Sequence, residues 1–236
     1  MAGHNKWSKI KREKGVNDAK RGAVFTKIGN QIAIAARSGV DPAMNSALAM
    51  AIEKAKAVNM PIANIQRAID RVADKNSAVL EEVTYEAMGP GGVAIIIEAA
   101  TDNRNRTFPE VRTALTKNGG RMADAGSVMF QFSRKGVIEV TATGEDALLA
   151  VLEAGAEDAS EEDGEIIVYT DPKELAKVRS VIVDTGLAVA SAELQYVPNA
   201  LVEIEDSEVS EKVLKVLDAL DDLDDVTNVH TNADLK

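Results

Sequence analysis

Nine basic side chains stand in the first forty residues: Lys6, Lys9, Lys11, Arg12, Lys14, Lys20, Arg21, Lys27 and Arg37, opposed only by Glu13 and Asp18. That stretch carries a net +7 in a chain of net −11. Charge of either sign would keep a protein soluble, so a cationic block on an anionic chain points to a partner. Clustered Lys and Arg bind a polyanion by releasing its condensed counterions, which needs neither a deep pocket nor sequence reading. Trp7 stands among the lysines. An indole there either stacks on an unpaired base, worth about 1–3 kcal/mol in single-strand binders, or folds back to anchor the terminus on a helix. The expected nucleic-acid contacts of this segment are Lys6, Trp7, Lys9, Lys11, Arg12, Lys14, Lys20, Arg21 and Lys27.

Two further clusters have the chemistry to meet phosphate. Arg104 and Arg106 alternate with Asn103 and Asn105 just before a helix start, where guanidinium forks, carboxamides and free amides make a phosphate or ribose site, or else a set of surface salt bridges and turn contacts. Arg112, Lys117 and Arg121 extend the patch if they share its face. Gly89-Pro90-Gly91-Gly92 is a loop candidate, since glycine lets a backbone approach a ligand and turn its amides toward it, although a plain tight turn reads the same way. It matches neither a Walker loop nor a dinucleotide fingerprint.

Catalytic inventory is thin. There are no cysteines and two histidines, His4 and His230, so thiol chemistry is excluded and a Ser-His-Asp arrangement would rest on an imidazole in a basic tail or a terminal strand. The acidic runs Glu157-Asp158, Glu161-Glu162-Asp163 and Asp221-Asp222 with Asp224-Asp225 lack EF-hand spacing and read as solvated turns and helix ends. We expect no enzyme activity, no metal and no cofactor.

The elements that must position these groups follow from periodicity. Phe25, Ile28, Ile32 and Ala36 recur at helical spacing between Ala23 and Arg37; Asp41-Pro42 looks like the cap of a second helix running to about Val58; Asn59-Met60-Pro61 breaks it, and Ile62, Ile65, Ile69 and Val72 mark a third. The short turn between the last two invites a helix-turn-helix reading with Asn64, Gln66, Arg67 and Arg71 as base readers, against a plain helical hairpin with a polar face. After a linker at 75–82 come strands Val83 to Met88 and Val93 to Ile97, a helix opened by a Thr107/Glu110 capping box with Pro109 in its first turn, and a strand Val128 to Phe132. Residues 137–197 then read βαββαβ, the ferredoxin-like order, and the tail supplies a helix, Ser210 to Leu220, and a strand near Val226 to His230.

The fold expected is therefore α+β: a basic helical amino-terminal domain, 1–75, followed by two two-layer α/β sandwich domains. One is discontinuous, 83–133 plus 204–236, and the other, 134–203, is ferredoxin-like, acidic and inserted into it. Residues 1–75 hold 14 basic and 6 acidic side chains, 76–136 hold 7 and 7, and 137–236 hold 6 and 25, so the net charge runs +8, 0, −19. Aromatics make up 3% of the 236 residues, so the cores must be aliphatic. No apolar run approaches a membrane span and the amino terminus has no signal-peptide core, which leads us to expect a cytoplasmic bacterial protein without membrane contact. With no heptad or obvious dimer element, a monomer is expected.

The residues also carry a resemblance. Ala2-Gly3-His4-Asn5-Lys6-Trp7, Asp18-Ala19-Lys20-Arg21-Gly22, Phe25-Thr26-Lys27-Ile28, Asn59-Met60-Pro61, Gly89-Pro90-Gly91-Gly92, Asp102 to Thr107, Lys117-Asn118-Gly119-Gly120 and Ala154 to Asp158 lie in family order, and the chain resembles the YebC family over nearly its full length. That family includes mitochondrial translational activators of cytochrome oxidase. The chain departs from it at Ala23-Val24 and Gly29-Asn30-Gln31, where the family carries more charge. The resemblance implies the same three-domain layout and a nonenzymatic regulator of gene expression, as a DNA-binding transcriptional regulator or, alternatively, as a ribosome-associated translation factor that relieves stalling at proline-rich stretches. A transcription regulator must discriminate base sequence, whereas a translation factor reads folded RNA by shape. On a ribosome the basic end with Trp7 could enter an RNA-lined cavity while the acidic last hundred residues stay toward solvent or basic ribosomal proteins; the family's usual description favours DNA, which is placed first with ribosomal RNA and the ribosome as the alternative partners.

Overall fold

The computed structural model describes residues 18–72 and 79–235, apart from the side chains of residues 18–20. Ser133–Val197 form one compact unit, and the described parts of Met1–Phe132 together with Pro198–Lys236 form the other.

In the larger unit, α1 (Asp18–Ala36) buries Ile28, Ile32 and Ala36, spaced by four on one face, against α2 (Ser46–Ala57) and α3 (Ile62–Asp70). The cap of α2 is Asn45, not the Asp41-Pro42 pair the sequence suggests. Asn45 Oδ1 accepts from the Leu48 N–H at 3.1 Å, while its amide donates to the carbonyls of Ala35 (2.8 Å) and Gly39 (2.7 Å). One carboxamide thus opens α2 and closes the end of α1, which an aspartate, having no donor, could not do. Asp41 holds only a local turn, accepting from the Ala43 N–H at 2.9 Å. In α3 the buried residues are Ile65 and Ile69; Ile62 is 79% exposed, so the apolar stripe is narrower than its spacing implies. One departure from the charge expected has a packing reason: Asn30 is buried and accepts from Arg71 Nη1 at 3.3 Å, a place without room for a solvated charge.

The same unit holds an antiparallel sheet in the order β3-β1-β2-β9, from β1 (Glu81–Met88), β2 (Ala94–Thr101), β3 (Arg121–Met122) and β9 (Val226–Thr231). Helices α4 (Arg104–Lys117) and α7 (Ser207–Asp221) supply Val111, Leu115, Val216, Leu217 and Leu220 to a core with Ile95, Ile97 and Val229. β8 (Val202–Ile204) pairs in parallel with β10 (Ala233–Leu235) beside it. The strand expected at Val128 to Phe132 is instead a 3-10 turn, Met129–Gln131, leading into β4 (Phe132–Val140). Buried Glu86 explains the change: its carboxylate accepts from the backbone N–H groups of Gly126, Val128 (2.6 Å) and Met129 (2.8 Å), which a strand would have turned to a neighbour. Burial works to raise the Glu86 pKa, yet these three donors hold it below the ordinary value.

The smaller unit continues from β4 through α5 (Glu145–Glu153), β5 (Asp158–Glu162), β6 (Glu165–Thr170), α6 (Leu175–Asp184) and β7 (Val189–Pro198). Its element order is the βαββαβ read from the sequence, and its sheet order, β5-β6-β4-β7, is the one a ferredoxin-like unit has. Ile138, Val140, Ile166 and Val168 of the strands and Val151, Leu175, Val178 and Ile182 of the helices are buried.

Asp225, expected on a solvated turn, is 8% exposed and joins three elements of the larger unit. Its carbonyl accepts from the Ala100 N–H at 2.8 Å. Its carboxylate lies 2.6 Å from Thr107 Oγ1, 3.1 Å from Thr101 Oγ1 and 2.7 Å from Arg106 Nη2, which also reaches Asp102 at 3.1 Å. Thr107 is therefore an interior hydroxyl, not the cap expected; α4 begins at Arg104 behind Asn103, whose Oδ1 accepts from the Arg106 N–H at 3.2 Å, and Pro109 falls beyond the first turn. Burial opposes charge on Asp225, but the hydroxyl and guanidinium donors outweigh it and lower the pKa.

A carboxylate with a depressed pKa stabilises the fold fully above its unfolded value, about 3.9, and ceases to do so as pH falls through the lower folded value. Asp225→Asn is expected to destabilise the protein at pH 7 by about 2–4 kcal/mol, since a guanidinium and two buried hydroxyls lose their charged acceptor. In denaturant melts from pH 7 to pH 2 the gap between wild type and variant narrows below pH 4; a constant gap contradicts the assignment. The three-domain expectation makes a separate prediction. Asn199 N donates to Gln131 O at 2.8 Å, so the chain leaves and re-enters the larger unit at adjacent points. Joining Ser133 to Pro198 by a short flexible linker should leave a cooperative thermal melt, whereas ending the chain after Ser133 removes α7, β9 and Asp225 and should abolish it; the reverse pattern refutes the insertion.

Candidate nucleic-acid interface

Of the residues singled out at the amino end, Lys6, Trp7, Lys9, Lys11, Arg12 and Lys14 lie outside the described residues, as does the side chain of Lys20. Arg21 is exposed on the first turns of α1. Lys27 is not: its side chain is 12% exposed, its ammonium donates to the Asp221 carbonyl, and it lies 3.6 Å from Asp221 Oδ1. Arg37 Nη1 donates to the Leu80 carbonyl at 2.8 Å. Both therefore tie α1 to other parts of the unit.

Of the candidate base readers of α3, three make exposed pairs along their own helix and only Arg71 is tied to another helix. Gln66 donates to Asp70 at 2.8 Å and Arg67 to Asn64 at 3.2 Å, one helical turn apart, while Arg71 reaches Asn30.

In the turn Gly89 to Gly92 the Gly92 N–H donates to the Gly89 carbonyl at 3.3 Å. A Cβ on Gly91 would lie 2.9 Å from Ile204 Cδ1 and 3.0 Å from Val209 Cγ1, at a φ of +72°. Gly89 is equally crowded by Val93, at 2.7 Å. Gly91 lets β8 and α7 close onto the turn and Gly89 makes room for Val93 and Ile95, so the close backbone approach they permit is to protein; Gly92 alone of the three faces open space.

The two arginines in the first turn of α4 have different standing. Arg106 is held by Asp225 and Asp102, which raise its pKa and fix it as part of the fold. Arg104 pairs with Glu81, 2.6 Å from Oε2, and both side chains are more than half exposed (61% and 55%). An exposed pair of this kind is worth about 0–1 kcal/mol, so an incoming phosphate can exchange for the carboxylate. The wider patch divides as well: Lys117 sits at the other end of α4, roughly 20 Å along the axis from Arg104, and Arg121 pairs beside Met88 in β3. Arg112 remains near, its guanidinium 6.0 Å from the ring centroid of Phe108.

Phe108 is the residue that the sequence reading missed. It is 41% exposed, and its ring stands 6.0 Å from that of Tyr85, tilted by 53°. Val83 and Tyr85 of β1 and Arg104, Asn105, Phe108 and Pro109 of α4 line a cleft of about 330 Å³. Burial pushes the Tyr85 phenol up, with Arg104 opposing and Asp225 adding to the shift. In a chain with so few aromatics, a phenylalanine one turn after Arg104 and one before Arg112 was the signal available.

Elsewhere the titratable groups serve the fold. His230 is buried with Nε2 2.9 Å from Glu98 Oε2, Glu157 pairs with Lys135, and Glu161 accepts from the Gly144 N–H at 2.9 Å. Among the described residues no group of three or more His, Asp or Glu is placed to hold a metal ion, and no helix is long and apolar enough to cross a membrane.

Comparison with known proteins places this geometry in a family. Residues 5–75 match the family described as "TACO1/YebC protein N-terminal domain", and residues 80–233 match "TACO1/YebC second and third domain". A protein of Trichlorobacter lovleyi named "Probable transcriptional regulatory protein" is 49% identical over 239 residues, covering 100% of this chain and 96% of its own. One of the same name from Moorella thermoacetica is 46% identical over 242 residues, with the same coverage. The crystal structure of a conserved hypothetical protein from Aquifex aeolicus superposes with a TM-score of 0.86 at 42% identity, covering 93% of this chain and 92% of that one. Two family descriptions spanning nearly the whole sequence, relatives this similar along their full length and a shared three-dimensional arrangement agree: the chain belongs to the TACO1/YebC family.

Proposed function

We propose that this chain is a nonenzymatic nucleic-acid-binding regulator of gene expression, acting in the cytoplasm as a monomer on DNA in the manner of a transcriptional regulator. The observation that carries the reading is the segregation of charge, net +7 in the first forty residues against −19 in the last hundred. The names of the relatives, "Probable transcriptional regulatory protein", support DNA as the target. Lys27 and Arg37 are engaged within the fold, so the electrostatic attraction rests on the residues upstream, Lys6 to Arg21, with Arg104 as an outlying contributor. Such attraction gives affinity and steering; discrimination between sequences needs base edges as well.

Neutralising Lys9, Lys11, Arg12 and Lys14 together should weaken duplex binding and reduce the slope of log K against log salt by about 0.9 for each phosphate that is no longer neutralised. An unchanged slope removes the amino-terminal segment as the main electrostatic determinant. Competition at near-physiological salt tests the target: retention on one promoter fragment in excess random duplex and ribosomal RNA is the result expected. Loss to random duplex together with stable cosedimentation on ribosomes would replace DNA by the ribosome.

A further inference from the structure

Resting on the nucleic-acid reading, we infer that the cleft between β1 and the first turns of α4 is a site for one unpaired nucleobase, stacked on Phe108 with its phosphate on Arg104. Four observations combine. Phe108 sits in a helix that buries Thr107, Val111 and Leu115, yet its own ring is 41% exposed, so its place is not explained by the core. Tyr85 closes one side of that ring at 6.0 Å, and the Arg112 guanidinium stands 6.0 Å from its centroid, a cationic and aromatic surround of the kind that receives a π-face. The Tyr85 hydroxyl is buried and makes no hydrogen bond within the protein, and Asn105 brings a carboxamide able both to donate and to accept at a base edge. Arg104, in a weak exposed pair with Glu81, is the cation at the rim that can be transferred to phosphate, whereas Arg106 is locked by Asp225.

Size and topology restrict the occupant. About 330 Å³ lies at the lower end of small-molecule sites and is enough for a nucleobase. β3 pairs only with Ala87 and Met88, so the first part of β1 beside the cleft has no strand on its outer side among the described residues, and a single strand can run along it. A base held inside a duplex cannot reach Phe108; the site selects unpaired or flipped nucleotides.

The test uses the full-length protein and a short single-stranded oligonucleotide carrying one 2-aminopurine, whose fluorescence is quenched on stacking, with a blunt duplex of the same sequence as the control. Phe108→Ala should weaken single-strand binding about 5- to 100-fold and abolish quenching while leaving duplex affinity unchanged; Phe108→Tyr should retain both signals. Arg104→Glu, on an exposed side chain, should lower the single-strand salt slope by about 0.7 or more while the protein still melts cooperatively, its midpoint lowered by about 4 °C at most. Wild-type affinity and quenching in both Phe108→Ala and Arg104→Glu, with the amino-terminal lysine variant still impaired, overturn the cleft and leave the general nucleic-acid reading standing. Absence of binding to either probe by the wild-type protein overturns both.

Discussion

The larger unit is assembled from two stretches of chain separated by the Ser133–Val197 unit, and beside the β2–β9 ladder they are joined by the buried carboxylate of Asp225. It reaches β2 through Thr101 and the Ala100 amide, and α4 through Thr107 and Arg106, across more than a hundred residues of sequence. A charge taken so far from water is tolerated only because hydroxyls and a guanidinium replace its hydration. The aliphatic core of β2, α4, α7 and β9 supplies most of the driving force, but it is non-directional; the Asp225 network fixes where α4 begins and which way its first turns face.

That orientation has a functional consequence. Because Thr107 must point inward to the carboxylate, the next residue, Phe108, is carried toward the surface beside Tyr85, and Arg104, one turn earlier, is left at the rim. The fold thus divides two arginines that look equivalent in sequence, using Arg106 as structure and leaving Arg104 in an exchangeable pair. Glu86 plays a comparable part elsewhere on the sheet, gathering the amides of residues 126–129 into a loop that leads into β4.

Much of this architecture was legible because it rests on periodic burial. The stripe of α1, the helices near the positions expected and the ferredoxin-like order of the smaller unit all follow from apolar spacing and turn residues. What was not legible depended on side chains meeting partners far along the chain. Asn45 replaced Asp41 as a cap because it could also bond Ala35 and Gly39. Val128 to Phe132 had strand composition but gave its amides to Glu86. Asp225 read as one more acid in an acidic run, and Gly89 and Gly91, which suggested a ligand loop, are glycines because β8, α7 and the turn's own side chains crowd them. The charge block was visible at once, but which of its members face outward was not: Lys27 is largely covered and held by Asp221.

In this protein a basic amino-terminal segment would supply long-range attraction, while an aromatic cleft on a sheet and helix would offer a short-range seat for an exposed base. The central claim is that the partner is nucleic acid, and DNA first. Its most direct test is to crosslink the protein in growing cells, isolate it under denaturing conditions and sequence the attached nucleic acid. DNA fragments enriched from discrete loci are the predicted result; ribosomal RNA enriched without DNA would contradict the choice of DNA, and the absence of any nucleic acid above an untagged control would contradict the claim itself.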